Sequence, residues 1–128
     1  MCAGVLHPKS GLIEYTNAGH VPPLLLKEGG VTALSSTDMV VGLFTAATYR
    51  TQTAQLERGD SLVLFTDGVT EAEDEQEQEL GLQSVCDLLA TKRTTAPELL
   101  DTIDDHVRAH IGELPAGDDV TMLALTRT

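Results

Sequence analysis

The first quarter of the chain alternates short apolar runs with turn-forming residues, which is the pattern of β-hairpins. Apolar runs occupy residues 4–7, 12–15, 22–26 and 31–34, and the segments 8–11 and 28–30 between them are rich in Pro, Gly and Ser or charged residues. Turn residues of this kind reverse the chain direction. We therefore predict two hairpins before residue 35.

Two more strands precede a change of periodicity. Residues 49–56 alternate in character and predict a half-exposed strand, whereas residues 62–65 are continuously apolar and predict a buried one. After Glu71 the apolar residues follow helical spacing. Leu82, Val85, Cys86 and Leu89 fall at i, i+3, i+4 and i+7, which indicates an amphipathic helix.

A second helix is predicted to start at Thr95. The segment 95–98 has the form of a capping box with proline in the first turn, and Gly112 offers a stop. The residues predicted to share its apolar face are Leu100, Ile103, Val107 and Ile111. Residues 120–125 predict a final buried strand. Strands, helices and one last strand indicate an α+β domain with the helices on one face of a sheet.

Charge and cysteine content narrow the functional classes. Twenty acidic and eight basic residues give a net charge of −12, and no Lys/Arg cluster is present, so nucleic acid and anionic membranes are not expected as partners. Two cysteines do not make a disulfide framework. No apolar run approaches the roughly 18 residues of a spanning helix. We predict one domain over residues 1–128 in a soluble, cytoplasmic protein.

Aspartates at two predicted strand ends are the main candidates for chemistry. Asp67 follows the buried strand and precedes Gly68, which we expect to allow a sharp turn. Asp118 and Asp119 precede the last strand. Carboxylates gathered at strand ends are costly unless a cation compensates them, and Mg²⁺ and Mn²⁺ prefer oxygen ligands. An Asp-Gly pair after a strand is in itself an ordinary turn signal, so the metal interpretation depends on the second pair.

Other polar features have ordinary interpretations. Residues 71–79 carry six acids and predict a solvated loop, with a partner-docking patch as the alternative. His106 and His110 are four apart on a predicted helix, but Val107 replaces the glutamate of a zinc-protease motif, so we expect exposed histidines. His20 follows a run of small residues and is expected to be structural, with loop orientation or acid chemistry as alternatives.

Two other classes of metal-binding protein are excluded because the chain lacks residues that they require. A haloacid-dehalogenase-type phosphatase needs a nucleophilic aspartate where this chain has Phe65. The segment after Asp67 lacks the alternating oxygen ligands of an EF-hand calcium loop.

Three ordered motifs resemble the SpoIIE/RsbU-type branch of the PPM (PP2C-like) serine/threonine phosphatases. They span residues 17–23 (Asn-Ala-Gly-His-x-Pro-Pro), 58–71 (Arg-Gly-Asp through Thr-Asp-Gly-Val-Thr-Glu) and 117–121 (Gly-Asp-Asp-Val-Thr). The resemblance implies an α-β-β-α sandwich with helices packed on a mainly antiparallel sheet. It also implies Mn²⁺ or Mg²⁺ held by Asp67 and Asp118, with Asp119 as the weaker candidate ligand. Gly68 would let backbone pass close to the metal shell.

The resemblance has a gap at the N-terminus. The family's earlier aspartate, which bridges both metals and precedes a Gly-His-Gly-like turn, has no counterpart before Asn17. The chain therefore resembles a partial domain, incomplete at the N-terminus, and metal binding is expected to be weak or absent in this chain alone. The resemblance implies a phosphoprotein substrate such as an anti-sigma-factor antagonist. The alternative is an inactive remnant or fragment that serves as a protein-binding regulatory module.

A homodimer is a further expectation. Loss of the family's first helices would leave a sheet face uncovered, and an apolar patch of that kind tends to associate. Residues 12–15 and 24–26 are the predicted suppliers of this patch.

Overall fold

The computed structural model describes residues 2–35, 51–92, 94–115 and 119–128 of the chain. The elements in chain order are β1 Cys2–Leu6, β2 Leu12–Asn17, β3 Leu24–Lys27, β4 Gly30–Ala33, β5 Gln52–Gln55, β6 Ser61–Phe65, α1 Asp67–Thr70, α2 Leu82–Leu89, α3 Ala96–Ile111 and β7 Met122–Thr126. Both predicted hairpins and both amphipathic helices are confirmed. None of the helices in these segments is long and apolar enough to cross a bilayer.

The strands form two antiparallel sheets. One has the order β1-β2-β5 and the other has the order β4-β3-β6-β7. Strand β6 lies between β3 and β7, which agrees with its continuous burial and with the prediction made for residues 62–65. The predicted strand at residues 49–56 is β5, half-exposed as expected, and its first two residues lie outside the described segments.

An aliphatic core joins the two sheets. Ile13 and Tyr15 point inward from β2, while Leu25 and Leu62 meet them from β3 and β6. Alternation along each strand produces this arrangement, because every second side chain of a strand faces the same side. The Tyr15 hydroxyl stays satisfied at the edge of this core by donating to Gln52 Oε1 at 3.0 Å.

A second core lies between the four-stranded sheet and the helices. Its fully buried members include Leu24 and Val63 from the sheet, Val85 and Leu89 from α2, and Ile103 from α3. The described residues thus form three layers, sheet on sheet on helices. The two cores cover both faces of the four-stranded sheet at β6, so the end of β6 is held in place from both sides.

Helix α3 starts and ends where the sequence indicates. The Thr95 side chain accepts a hydrogen bond from the Glu98 N–H at 3.4 Å, and Gly112 caps the other end with φ 68°. The apolar face is rotated slightly from the prediction. Leu99, which is fully buried, takes the core position assigned to Leu100, which is only half-buried. Leu99 lies four residues before Ile103 and Leu100 lies three before it, and both spacings place two side chains on one helix face, so helical spacing by itself cannot separate the two choices.

The last strand is less buried than predicted. Strand β7 is an edge strand of its sheet, and its Leu123 side chain is 53% exposed. Val120, predicted as the start of the strand, precedes β7 and is 40% exposed. A continuous apolar run predicts burial on both faces, but an edge strand with one open face can carry the same residues.

The apolar patch on which the homodimer expectation depends is absent from the strands that were to supply it. Leu24, Leu25 and Leu26 are at most 4% exposed, because one face of β3 packs on β2 and the other on the helices. Ile13 and Tyr15 are also buried. In β2 it is Glu14 that is exposed on the outer face. The strands predicted to supply the patch are therefore the wrong ones, and the homodimer stays a prediction.

We expect truncation of Ile103 to Ala to destabilise the domain by about 2–5 kcal/mol, because a fully buried side chain leaves a cavity between α3 and the sheet. Urea denaturation followed by circular dichroism measures this loss. Leu123→Ala on the exposed edge strand is the matched control and should cost less than about 1 kcal/mol. Equal losses in the two variants would contradict the three-layer packing.

Candidate metal centre

The candidate site begins where buried strand β6 ends. Phe65 is 3% exposed, Thr66 is extended, and residues Asp67–Thr70 form the single helical turn α1. The prediction of a sharp glycine turn at Gly68 is therefore wrong, and Gly68 is not among the described glycines with positive φ. Val69 is fully buried and anchors the turn, whereas Asp67 is exposed at its start. The carboxylate thus stands at the strand end on a fixed piece of backbone.

Thr66 connects this strand end to the segment before β7. Its N–H donates to Thr121 O at 3.0 Å, and its Oγ1 accepts from the Thr121 N–H at 3.1 Å. The same hydroxyl donates to Asp119 O at 3.4 Å. Thr66 occupies the N-cap position of α1, yet its side chain makes no cap hydrogen bond to that helix. The hydroxyl instead holds the two acidic segments side by side.

Gly68 marks the closest approach of those two segments. A Cβ at this position would lie 2.3 Å from Asp119 O and 3.3 Å from Val120 Cγ2. Real Cβ atoms do not approach a carbonyl oxygen that closely, so a side chain at residue 68 would force the Asp119 backbone away. Glycine is required here for space and not for a left-handed conformation.

The structure describes the positions of two of the three predicted metal ligands. Asp67 and Asp119 lie on the two segments that Thr66 and Gly68 bring together, and both residues are exposed. Asp118 lies outside the described residues, so the predicted spacing of about 4–6 Å between its carboxylate and that of Asp67 stays a prediction. Exposed carboxylates on adjacent segments suit a hard cation that keeps several waters, as Mg²⁺ does. Within the described segments, no group of three His, Cys, Asp or Glu residues has an arrangement that could hold a metal ion.

The acidic segment after α1 is more ordered than the predicted loop. Asp74 N–H donates to Gln78 O at 3.1 Å and Leu80 N–H donates to Ala72 O at 2.8 Å, so the chain folds back on itself as a short hairpin. We call residues 71–80 the acidic hairpin. The Asp74 carboxylate accepts backbone N–H groups from Gln78 and Gln76, and these hydrogen bonds lower the pKa of Asp74.

The histidines of α3 are half-buried and hydrogen-bonded, in contrast to the predicted exposed histidines. His106 Nε2 lies 2.9 Å from Ser84 Oγ of α2, and His110 Nε2 lies 2.8 Å from Gln78 O. Because a carbonyl oxygen only accepts, His110 is the donor and ties the acidic hairpin to the end of α3. Each ring thus joins two elements.

The Asn17 motif has a clear local role. The buried Asn17 side chain donates to His20 O and Leu34 O, both at 3.2 Å, and accepts from the His20 N–H at 3.0 Å. His20 Nδ1 lies 2.7 Å from Val21 O, where it can only donate. These bonds fix the turn that leads into β3, which agrees with the structural interpretation of His20.

The hydrogen bonds by which Thr66 and Asn17 join separate segments were not predicted from the sequence. Thr directly after a strand and before a helical turn is an N-cap signal, which could have pointed to Thr66. Its bond to Thr121 could not be found without the pairing of β6 with β7.

Comparison with known proteins identifies the family. Residues 1–128 match the family described as Stage II sporulation protein E (SpoIIE). The chain belongs to the SpoIIE family. This match confirms the resemblance drawn from the three motifs.

Individual relatives agree with this assignment. Protein IcfG from Synechocystis is 32% identical over 125 residues, which cover 97% of this chain and 20% of IcfG. The structure of the RsbU and RsbW domains of Rv1364c from Mycobacterium tuberculosis is 28% identical with a TM-score of 0.78, over 98% of this chain and 36% of that one. The SpoIIE-type chain thus spans about a fifth of IcfG and about a third of the mycobacterial structure.

A third relative shows the fold alone. The phosphatase domain of the cell-fate determinant SpoIIE from Bacillus subtilis, presoaked with Mn, is 15% identical with a TM-score of 0.75. The alignment covers 98% of this chain and 55% of that one. The predicted α+β, PP2C-like fold with antiparallel sheets is confirmed, and the chain corresponds to part of such a domain.

We expect Gly68→Ala to displace the Asp119 backbone, because the new methyl group would overlap Asp119 O. Overpacking of this kind costs about 1–3 kcal/mol. Gly29→Ala is the matched control, since a Cβ there has nothing within 4 Å. Urea denaturation and the amide chemical shifts of Asp119 to Thr121 measure both effects. The close approach is refuted if the two variants behave alike.

We expect Thr66→Val to cost about 1 kcal/mol, because the near-isosteric side chain loses both hydroxyl hydrogen bonds. Faster hydrogen exchange at the Thr121 amide should accompany the loss. Thr66→Ser keeps the hydroxyl and should retain most of the protection. Unchanged exchange in the valine variant would show that the hydroxyl does not hold the two segments.

Proposed function

We propose that this chain is part of a metal-dependent protein serine/threonine phosphatase domain. The observation that carries the proposal is the junction of the two acidic segments, where Thr66 bonds to both sides and Gly68 admits the Asp119 backbone. Exposed aspartates stand on both segments of this junction, with Asp67 on one side and Asp119 on the other. Carboxylates held this way suit a divalent cation.

The proposed ligands are Asp67 and Asp118, with Asp119 as the weaker candidate and Gly68 as the residue that lets the shell close. Mn²⁺ or Mg²⁺ bound there would supply an activated water and would neutralise charge on a phosphoryl group. In this proposal the turn α1 holds Asp67 at the end of β6, and the Thr66 hydroxyl holds the Asp119 backbone beside it. The presoaking of the SpoIIE phosphatase domain with Mn supports this choice of ion.

The proposed substrate is a phosphoprotein of a bacterial partner-switching system, such as an anti-sigma-factor antagonist phosphorylated on serine or threonine. Similarity to a structure that contains RsbU and RsbW domains supports this class. Because the chain spans only part of its relatives, the substrate is a property proposed for the whole protein.

A second candidate function is a protein-binding regulatory module without catalytic activity. The exposed apolar side chains of Leu114 and Val120, which lie beside the acidic hairpin, favour it. It also agrees with the ordered acidic hairpin, which offers a preformed surface next to the junction.

We expect Mn²⁺ to bind weakly at the junction and to broaden the amide NMR signals of Asp67, Gly68 and Asp119 selectively. Asp67→Asn and Asp118→Asn should remove this broadening, because each deletes one anionic oxygen donor. Asp105→Asn, an exposed position on α3, is the control and should leave it unchanged. Broadening centred on the acidic hairpin instead would overturn the assignment of the metal site.

We expect negligible hydrolysis of p-nitrophenyl phosphate by the 128-residue chain alone with added Mn²⁺, because an in-line displacement needs a water held by a well-ligated metal. Robust turnover that disappears in Asp67→Asn would contradict this expectation. It would also decide between the two candidate functions in favour of the phosphatase.

A further inference from the structure

An open groove of about 600 Å³ starts at Gly68 and runs between the acidic hairpin and the end of α3. One wall carries acids of the hairpin. The other wall is apolar and contains Ile111, Leu114, Pro115 and Val120. Among the described residues, Leu114 and Val120 are two of only four large apolar side chains that are exposed, each at 40%. The groove therefore combines exposed apolar surface with concentrated negative charge.

The acidic wall is preformed. The hairpin is closed by the Asp74–Gln78 and Leu80–Ala72 backbone hydrogen bonds, and His110 fixes it to α3 at 2.8 Å. A partner would not have to order this segment on binding, which lowers the entropic cost of association.

The hairpin also brings two like charges together. Glu73 lies directly opposite Glu79 in an isolated antiparallel bridge, and the two backbone hydrogen bonds flank this pair instead of joining its members. Opposite residues of that kind have Cα atoms about 4.5 Å apart and the closer side-chain spacing. Like charges directly opposite are destabilising. A cation placed between them would remove the repulsion, so the geometry itself favours a cationic occupant.

We propose that this groove is a docking site for a cationic, amphipathic segment of a partner protein, with Lys or Arg facing the hairpin and apolar side chains facing Leu114 and Val120. Charge complementarity selects this occupant, because a chain of net charge −12 repels acidic segments and nucleic acid. A free inorganic cation would use the acids and leave the apolar wall exposed.

The groove shares residues with the candidate metal centre. Gly68 and Val120 belong both to the groove and to the junction that carries Asp67 and Asp119. A segment seated in the groove therefore lies beside the candidate metal centre. If the partner is the phosphoprotein substrate, which rests on the proposed function, its basic residues would flank the phosphorylated one.

The test uses the 128-residue chain without added metal and a fluorescent, unphosphorylated peptide of alternating lysine and leucine. We expect saturable binding by fluorescence anisotropy, with amide shift changes at Glu73, Glu79 and Leu114. Replacing the lysines of the peptide by glutamine, or its leucines by serine, should each abolish or strongly weaken binding. The first change removes the charge match and the second removes the apolar contact.

Two matched pairs of variants locate the binding. Glu73→Gln with Glu79→Gln should weaken binding about three- to tenfold, as expected for a few exposed charge contacts. Glu14→Gln with Glu28→Gln removes the same charge from exposed positions outside the groove and should change binding less than about twofold, because distant charges are screened. The amide shifts of Gln78 and Leu80 report whether the hairpin stays folded in each variant.

A third pair tests the apolar wall. Leu114→Ser should weaken binding about three- to tenfold, whereas Leu123→Ser, which also removes an exposed leucine but lies outside the groove, should not. Equal losses in the two charge pairs, or shift changes away from the groove, would overturn the proposal and reduce the effect to net charge. Retention of peptide binding in Asp67→Asn separates this site from the metal centre, so either proposal can fail while the other stands.

Discussion

The pairing of β6 with β7 is the constraint on which the candidate site depends. Phe65 lies opposite Met122 in an antiparallel ladder. Continuing that register places Thr66 opposite Thr121 and Gly68 alongside Asp119, which the hydrogen bonds of Thr66 and the close approach at Gly68 bear out. The segments that carry Asp67 and Asp119 meet because of this register. A slip of one residue would reverse the faces of β7 and separate them.

The register is held at both ends and from both faces. At the far end Ser61 Oγ lies 2.8 Å from Thr126 Oγ1, and at the near end the Thr66 hydroxyl bonds to the Thr121 N–H. Between them the side chains of β6 alternate into the two cores, with Leu62 toward the other sheet and Val63 toward the helices. A buried strand with two different cores has one favourable register, so packing of β6 fixes the position of the backbone at Asp67, and the hydrogen bonds of Thr66 place the Asp119 segment beside it.

Much of this arrangement could be predicted from the sequence, because local signals and the final packing agree. The turns at residues 8–11 and 28–30, the spacing of Val85 and Leu89, and the Thr95 cap each indicated an element that the structure contains. The missed features are those that depend on distant segments. They are the burial of Leu99 in place of Leu100, the exposure of β7 and the hydrogen bonds of Thr66. Each depends on which strand or helix packs alongside, and the periodicity of a segment does not show which element that is.

Contacts between distant segments were also the unpredicted part of the candidate site. Motif order brought Asp67, Asp118 and Asp119 into one hypothesis, but it did not indicate the helical turn α1. The spatial reason for Gly68 follows only from the neighbouring backbone of Asp119. The composition of residues 71–79 indicates an excess of acidic residues but not how they are arranged. Six acidic residues within nine positions are equally compatible with a disordered loop.

The distribution of charge links the candidate metal centre to the groove beside it. A phosphoryl group approaching Asp67 and Asp119 meets two carboxylates and then the acidic hairpin, and each of these repels it. A divalent cation bound at the proposed site would offset the negative charge of the carboxylates at the junction but would leave the hairpin negative. A substrate with positive charge beside its phosphorylated residue would place its phosphate at the metal and its positive charge at the acidic hairpin. A small phosphate ester would interact only with the metal. Under the proposed function, this distribution of charge favours selection of a whole protein partner over recognition of the phosphate alone.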